Sequence, residues 1–243
     1  MYPTKQSLFI CLIVFSCLTG GACQDRLFDN PYDPDAGQLL LEIINTINIP
    51  AQQPLGITWD GNTLWLVDGS TGSLFSLDRL SGTVVRTLPF VLAGVTGLAY
   101  DGRDLWVCSR TQVDIVKINL LNGQIQKRLN LQRGSFTALA YGLDHLWAAD
   151  AQTNKILMID PETGEIKSSF SNPGIQVNGL TFDGSSFWAS DASTLSIYQV
   201  TPDGAVIRSF LSPGQSPRGL AYDGFYLWNA DGSRKLFQMK VGG

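Results

Sequence analysis

The chain has 243 residues, 44% of them hydrophobic and 16% charged, with 17 basic side chains against 21 acidic ones and a formal charge of −4. That length and balance fit a globular domain with a real core and no long low-complexity tract. An acidic chain without a basic run argues against nucleic acid as a partner, because such binding rests on clustered Lys and Arg neutralising phosphates.

Residues 1–16 read as an export signal. Lys5 supplies the positive start, and Leu8 to Ser16 (LFICLIVFS) forms an apolar core far shorter than the roughly 20 residues of a spanning helix. Small residues stand directly before two cysteines, in Val14-Phe15-Ser16-Cys17 and Gly20-Gly21-Ala22-Cys23. The pattern resembles the lipobox of bacterial lipoproteins. Cys17, which adjoins the apolar core, is the first candidate for lipidation and Cys23 the alternative; a plain secretory signal cut near Ala22 is the third reading. The resemblance implies an exported, membrane-anchored protein on the periplasmic or outer-membrane side, with each buried acyl methylene contributing about 0.8 kcal/mol. Residues 17–38 read as a flexible tether, since Gln24 to Gly37 (QDRLFDNPYDPDAG) is rich in proline, aspartate and asparagine and has no periodicity. Only Cys108 falls beyond the tether, so no disulfide framework is implied and Cys108 reads as a small core residue.

From residue 39 to 243 one unit repeats. Near copies of Gly97 to Trp106 (GLAYDGRDLW) occur at Gly56 to Trp65, Ala138 to Trp147, Gly179 to Trp188 and Gly219 to Trp228, which spaces the tryptophans by 41, 41, 41 and 40 residues. A strand-rich unit with that period is the signature of a β-propeller. Each copy divides into four short apolar runs, strands A to D of one antiparallel blade, separated by turn residues. Asp-Gly at 60–61, 101–102, 183–184 and 223–224 marks the A–B turn, where glycine supplies a positive φ without a Cβ clash. Gly82, Gly123, Gly164 and Gly204 close the C–D turns. Strand B is apolar on both faces, as in Leu64-Trp65-Leu66-Val67, so it is covered on both sides and its tryptophan reads as filler between blades.

The fifth copy ends after Lys235 to Lys240 (KLFQMK), a strand C, and lacks a strand D. The N-terminal segment matches the missing strand. Ile47 stands nine residues before Gly56, as Leu88, Leu129, Phe170 and Phe210 stand nine before their own next repeats, and Ile43 falls in the column of Val84, Ile125, Ile166 and Val206. We therefore expect an all-β, five-bladed ring whose last blade is completed by Leu40 to Ile49, hiding edges that invite aggregation.

With turns such as Asp160-Pro161-Glu162-Thr163-Gly164 and entries such as Gly-Leu-Ala-Tyr-Asp-Gly, the sequence resembles the YVTN, NHL and SMP-30-like propellers over all five blades. In blade number and the Asp-x-x-Thr-Gly turn it is similar to the plant-type glutaminyl cyclotransferases. Such resemblance implies a scaffold and leaves function to the site. Enzymes of these kinds use a glutamate near the channel or oxygen ligands around a metal. Here the glutamates are Glu42, Glu162 and Glu165, expected on the closing strand D, in a C–D turn and at the start of a strand D. The single histidine, His145, is expected solvent-exposed in an A–B turn, without a nucleophile or second ligand.

The B–C and D–A connections are expected on the ligand-binding face. Asp68, Ser109, Asp150, Asp191 and Asp231 stand three residues after the repeat tryptophans. Four carboxylates on one rim offer oxygen ligands for Ca²⁺, but in turns aspartate commonly accepts backbone amides, so no cofactor is expected. Positions that break the repeat are the better site candidates. Just before each strand A core stand Leu55, Thr96, Thr137, Asn178 and Arg218, and Arg110 follows Ser109. Arg218, Asn178 and Arg110, with Thr96 and Thr137, are read as a site for an anionic or peptide group. The resulting expectation is a monomeric, non-catalytic module that binds an envelope protein or small ligand through the channel face. The alternative is a glutaminyl cyclotransferase-like or lactonase-like enzyme.

Overall fold

Twenty-one strands and no helix form among the described residues of the computed structural model, which are 39–88, 92 and 94–241. The expected signal, the tether and both candidate lipidation cysteines, Cys17 and Cys23, lie outside them. Five sheets form. Blade 1 comprises Pro54–Trp59, Leu64–Asp68, Ser73–Leu77 and Val84–Leu88; blade 2 comprises Val95–Tyr100, Leu105–Ser109, Asp114–Ile118 and Ile125–Asn130. Blade 3 comprises Phe136–Gly142, His145–Asp150, Lys155–Ile159 and Ile166–Ser171; blade 4 comprises Val177–Phe182, Phe187–Asp191, Ser196–Val200 and Val206–Leu211. Blade 5 takes Pro217–Tyr222, Tyr226–Asp231 and Lys235–Lys240 from the C-terminus and Glu42–Asn48 from the N-terminus.

The closing strand pairs antiparallel with Lys235–Lys240, placing Ile43 opposite Met239 and Ile47 opposite Leu236. The expected boundary needs one correction. Leu40 is not part of that strand: Leu39–Leu40 pairs in parallel with Phe210 and Leu211, adding a fifth strand to blade 4. Its hydrogen bonds cover an outer edge that would otherwise be open, before the chain crosses the seam at Leu41 to blade 5.

Each of the five repeat tryptophans fills the space towards the following blade. Trp65 packs with Leu98, Leu105 and Val107 of blade 2, Trp106 with Leu139 and Leu146 of blade 3, and Trp147 with Leu180 and Phe187 of blade 4. Trp188 packs with Leu220 and Leu227 of blade 5, and Trp228 with Ile57, Leu64 and Leu66 of blade 1, so five apolar clusters join five blades. Burying an indole removes roughly 200 Å² from water, a gross gain of about 5 kcal/mol, but it also buries an N–H that must find an acceptor.

The Asp-Gly turn supplies that acceptor. Trp65, Trp106, Trp188 and Trp228 donate Nε1–H to Asp60, Asp101, Asp183 and Asp223 at 2.7, 2.8, 2.7 and 2.9 Å. The same carboxylates accept amides inside the turn; Asp101, for example, takes the N–H groups of Arg103 and Asp104. Blade 3 lacks the aspartate. There Trp147 donates to the Gly142 carbonyl at 2.9 Å, and Leu143 and Asp144 form a two-residue hairpin loop, both with positive φ (55° and 59°). His145 is the first residue of the next strand and half-buried, its Nδ1 2.7 Å from the Leu143 carbonyl, rather than an exposed turn residue as expected.

Burial works against ionisation of Asp101, but hydrogen bonds from the Lys117 ammonium, the Asp104 amide and the Trp106 indole outweigh it and hold its pKa below the ordinary aspartate value. Asp183 is lowered in the same way, burial being overcome by the Ser186 amide and Trp188. A carboxylate whose folded pKa lies below its unfolded one contributes stability above the unfolded value of about 3.9, and that stability is lost as pH falls through the folded value. Denaturant midpoints are therefore expected to stay level from pH 7 to about pH 5 and to fall below about pH 4. Asp101→Asn, which breaks the set of acceptors, should cost about 1–3 kcal/mol at pH 7 and lose less than the parent on acidification.

Candidate functional site

The face carrying the D–A loops and B–C turns is held by the last residue of strand B. Asp68 accepts the amides of Gln53 at 3.0 Å and Ser70 at 3.0 Å, so one carboxylate ties the loop entering its blade to the turn leaving it. Asp150 does the same with Ser135 (2.8 Å) and Gln152 (3.0 Å), Asp191 with Gln176 and Ser193 (both 2.7 Å), and Asp231 with Ser216 (2.9 Å) and Ser233 (2.8 Å). In blade 2 the Ser109 hydroxyl accepts the amides of Thr111 and Gln112 at 3.1 and 3.2 Å. Burial raises the pKa of Asp68, but the Ser70 hydroxyl and the surrounding amides bring it below the usual value. These carboxylates are structural staples, and the oxygens proposed as a Ca²⁺ rim are taken up by them. Among the described residues no group of three or more His, Cys, Asp or Glu side chains is placed to hold a metal ion.

The repeat-breaking positions converge. Thr96, Arg110, Thr137, Asn178 and Arg218 line one hollow of about 290 Å³ together with Gln53, Leu55, Gly69, Gly94, Val95 and Thr111. Beneath it the inner strands close the axis. A Cβ on Gly56 would come within 2.7 Å of Gly97 Cα, one on Gly97 within 2.8 Å of Leu139 N, and one on Gly219 within 2.5 Å of Ile57 N. Four of the five positions at that level are glycine and the fifth, Ala138, brings only a methyl group, and the backbones approach until no space for a water molecule remains among Gly56, Gly97, Ala138, Gly179 and Gly219. The hollow is a blind cup.

Its chemistry is set by which polar groups are already engaged. Thr96 Oγ1 donates to the Phe136 carbonyl at 2.6 Å and Thr137 Oγ1 to the Val177 carbonyl at 2.5 Å, each bond crossing to the next blade. These two hydroxyls lock strand A to strand A and turn only lone pairs towards a ligand. Asn178 Oδ1 accepts the Ala192 amide at 3.2 Å, which leaves its NH₂ as the group available for donation. Arg110 and Arg218 form no ion pair or side-chain hydrogen bond among the described residues, and no Asp, Glu or His lines the cup. An uncompensated pair of guanidinium groups in a concave site favours a planar anion, above all a carboxylate. Cys108, behind Thr96, is fully buried, and burial pushes its thiol up to about 12, so it is no nucleophile.

The glutamates stay away from the cup. Glu42 is exposed on the closing strand, 3.6 Å from Lys240; Glu162 and Glu165 lie at the C–D turn of blade 3, where they pair with Lys127 and Lys167 at 2.7 and 2.6 Å. Gln53 and Thr111 belong to the cup but were not singled out from the sequence. Both sit in D–A or B–C connections, whose residues differ between copies and so carry no repeat signal.

With this geometry the chain is similar to several solved propellers. Glutaminyl cyclase from Myxococcus xanthus superposes with a TM-score of 0.72 at 16% identity, covering 85% of this chain and 99% of that one. The likeness is one of fold. Catalytically inactive virginiamycin B lyase from Staphylococcus aureus, solved with quinupristin, gives 0.52 at 19% identity over 79% of this chain and 68% of that one. The Cps50 (Swd1) β-propeller domain from Myceliophteria thermophila gives 0.53 at 14% identity over 83% and 100%. No protein-family model and no curated protein sequence matches the chain.

The division between locking hydroxyls and free cations can be tested separately. Thr137→Val keeps the shape but leaves the buried Val177 carbonyl without its donor, so urea denaturation should show a loss of about 1–3 kcal/mol. Thr137→Ser, which retains the hydroxyl, should recover most of it.

Proposed function

We propose that this chain is an exported, lipid-anchored propeller of the YVTN, NHL and SMP-30-like kind that binds a carboxylate-bearing ligand in the channel-mouth cup without catalysis. The observation that carries the reading is the pair Arg110 and Arg218, which among the described residues have no countercharge and share their cup with no acid or imidazole. Such a lining supplies attraction and orientation but no group of the right pKa to move a proton. The second reading, a glutaminyl cyclase-like enzyme, is favoured by the extent of the structural similarity to the Myxococcus xanthus protein. The anchor rests on the small residues before Cys17 and Cys23.

Calorimetric titration with acetate and with N-acetylglycine tests the binding reading. Both should bind with an affinity that weakens as salt is raised, whereas N-acetylglycinamide should not bind. Loss of a charge-assisted hydrogen bond is worth about 1.5–3 kcal/mol, so Arg218→Ala should weaken binding roughly 10-fold to 100-fold, and the double variant with Arg110→Ala should abolish it. Equal binding of the amide would refute the carboxylate reading, and turnover of a glutaminyl peptide to its cyclised product would favour the enzyme. For the anchor, acyl labelling of the full-length precursor in a bacterial host should be lost in Cys17→Ser and kept in Cys23→Ser. Loss only in Cys23→Ser would move the anchor site, and no label on the parent would remove it.

A further inference from the structure

A second hollow of about 230 Å³ adjoins the cup. It is lined by Thr137, Ala151, Asn172, Ile175, Gln176 and Val177, so Thr137 belongs to both cavities, and Val177 is followed directly by Asn178 of the cup. It lies on the same face, between the B–C turn of blade 3 and the loop that leads into blade 4.

Two features of this hollow lack a structural explanation. Asn172 is fixed at its other polar atoms, its amide N–H donating to the Asn154 carbonyl at 3.1 Å and its Nδ2 to Asn154 Oδ1 at 2.9 Å. Its Oδ1 is shielded from water and accepts no hydrogen bond among the described residues. A buried acceptor left bare costs roughly 1–3 kcal/mol, a cost that a donor brought by a ligand would remove. Turning the amide about its soft terminal torsion gives up the 2.9 Å bond to Asn154 Oδ1 and brings the oxygen to such a donor. Beside it Ile175 is 68% exposed, an apolar side chain held over the hollow by a loop whose amides Asp191 accepts.

The arrangement runs from two cations in the cup to an unmet acceptor and then an apolar surface. The chemical complement is a peptide end, with the carboxylate at one terminus, a backbone N–H further along and an aliphatic side chain near it. We infer that the second hollow is a subsite for the residues preceding the free C-terminal carboxylate of a peptide. The carboxylate is held at Arg110 and Arg218 and an upstream N–H donates to Asn172 Oδ1. This inference rests on the carboxylate reading of the cup and adds length and side-chain preference to it.

Calorimetry on the full chain with acetate, N-acetyl-Leu-Gly-Gly and the C-terminal amide of that peptide tests it. The peptide acid should bind at least 10-fold more tightly than acetate, and the peptide amide should lose most of that affinity. Asn172→Ala and Ile175→Ala should each bring the peptide towards the affinity of acetate while leaving acetate unchanged. Ile175 is exposed, so its variant stays informative if Asn172→Ala fails to fold. Equal affinities for peptide and acetate in the parent, or a peptide advantage that survives both substitutions, would overturn the subsite and leave the cup standing. Failure of both ligands to bind the parent would overturn the cup and the subsite together.

Discussion

The structure depends on how closely five inner strands approach one axis. Where the backbone of Gly56 meets that of Gly97, and Gly219 that of Ile57, a single methyl group would have to be accommodated within 2.5–2.7 Å of neighbouring backbone atoms. Glycine at these positions is thus a packing requirement, and the one departure, Ala138, stands where blade 3 follows blade 2. Closure at this level makes the channel mouth a cup with a backbone floor. It also forces the residues one position earlier, among them Thr96, Thr137, Asn178 and Arg218, to face one another around the cup.

Further from the axis, carboxylates are spent on structure. One set, at the A–B turns, receives the indole N–H of a tryptophan that fills the neighbouring interface; the other, at the ends of strands B, receives amides from two loops at once. Hydrogen bonds to a carboxylate are stronger than those to a neutral acceptor, which suits loops that are held to their blades mainly through backbone amides. A chain of net charge −4 can in this way present a locally cationic cup, since the acids nearest the face are turned into the loops and Arg110 and Arg218 are left uncompensated.

Much of this was legible in the sequence because the fold is periodic. The tryptophan spacing gave the blade count, and the columns of Ile43 and Ile47 gave the closing strand within the correct blade. The extra pairing of Leu39–Leu40 was not, because a two-residue strand at the seam has no counterpart in the other copies. The Asp-Gly turns were read for their glycine, whereas the aspartate's bond to the indole five residues on is made only once the hairpin brings the two together. Departures from the repeat pointed to residues that do line one hollow, yet the engagement of the Thr96 and Thr137 hydroxyls was hidden. Their acceptors, Phe136 and Val177, lie 40 residues away in the chain and become neighbours only through blade packing.

The most direct measurement is a crystal structure of the protein soaked with 4-bromobenzoate, in which anomalous scattering locates the bromine and the density locates the carboxylate. The account requires the carboxylate between Arg110 and Arg218, the ring directed out of the mouth, and a closed floor of strand A backbone below it. A cup left empty while the compound binds elsewhere, or density passing through the axis beyond Gly97 and Gly219, would contradict it.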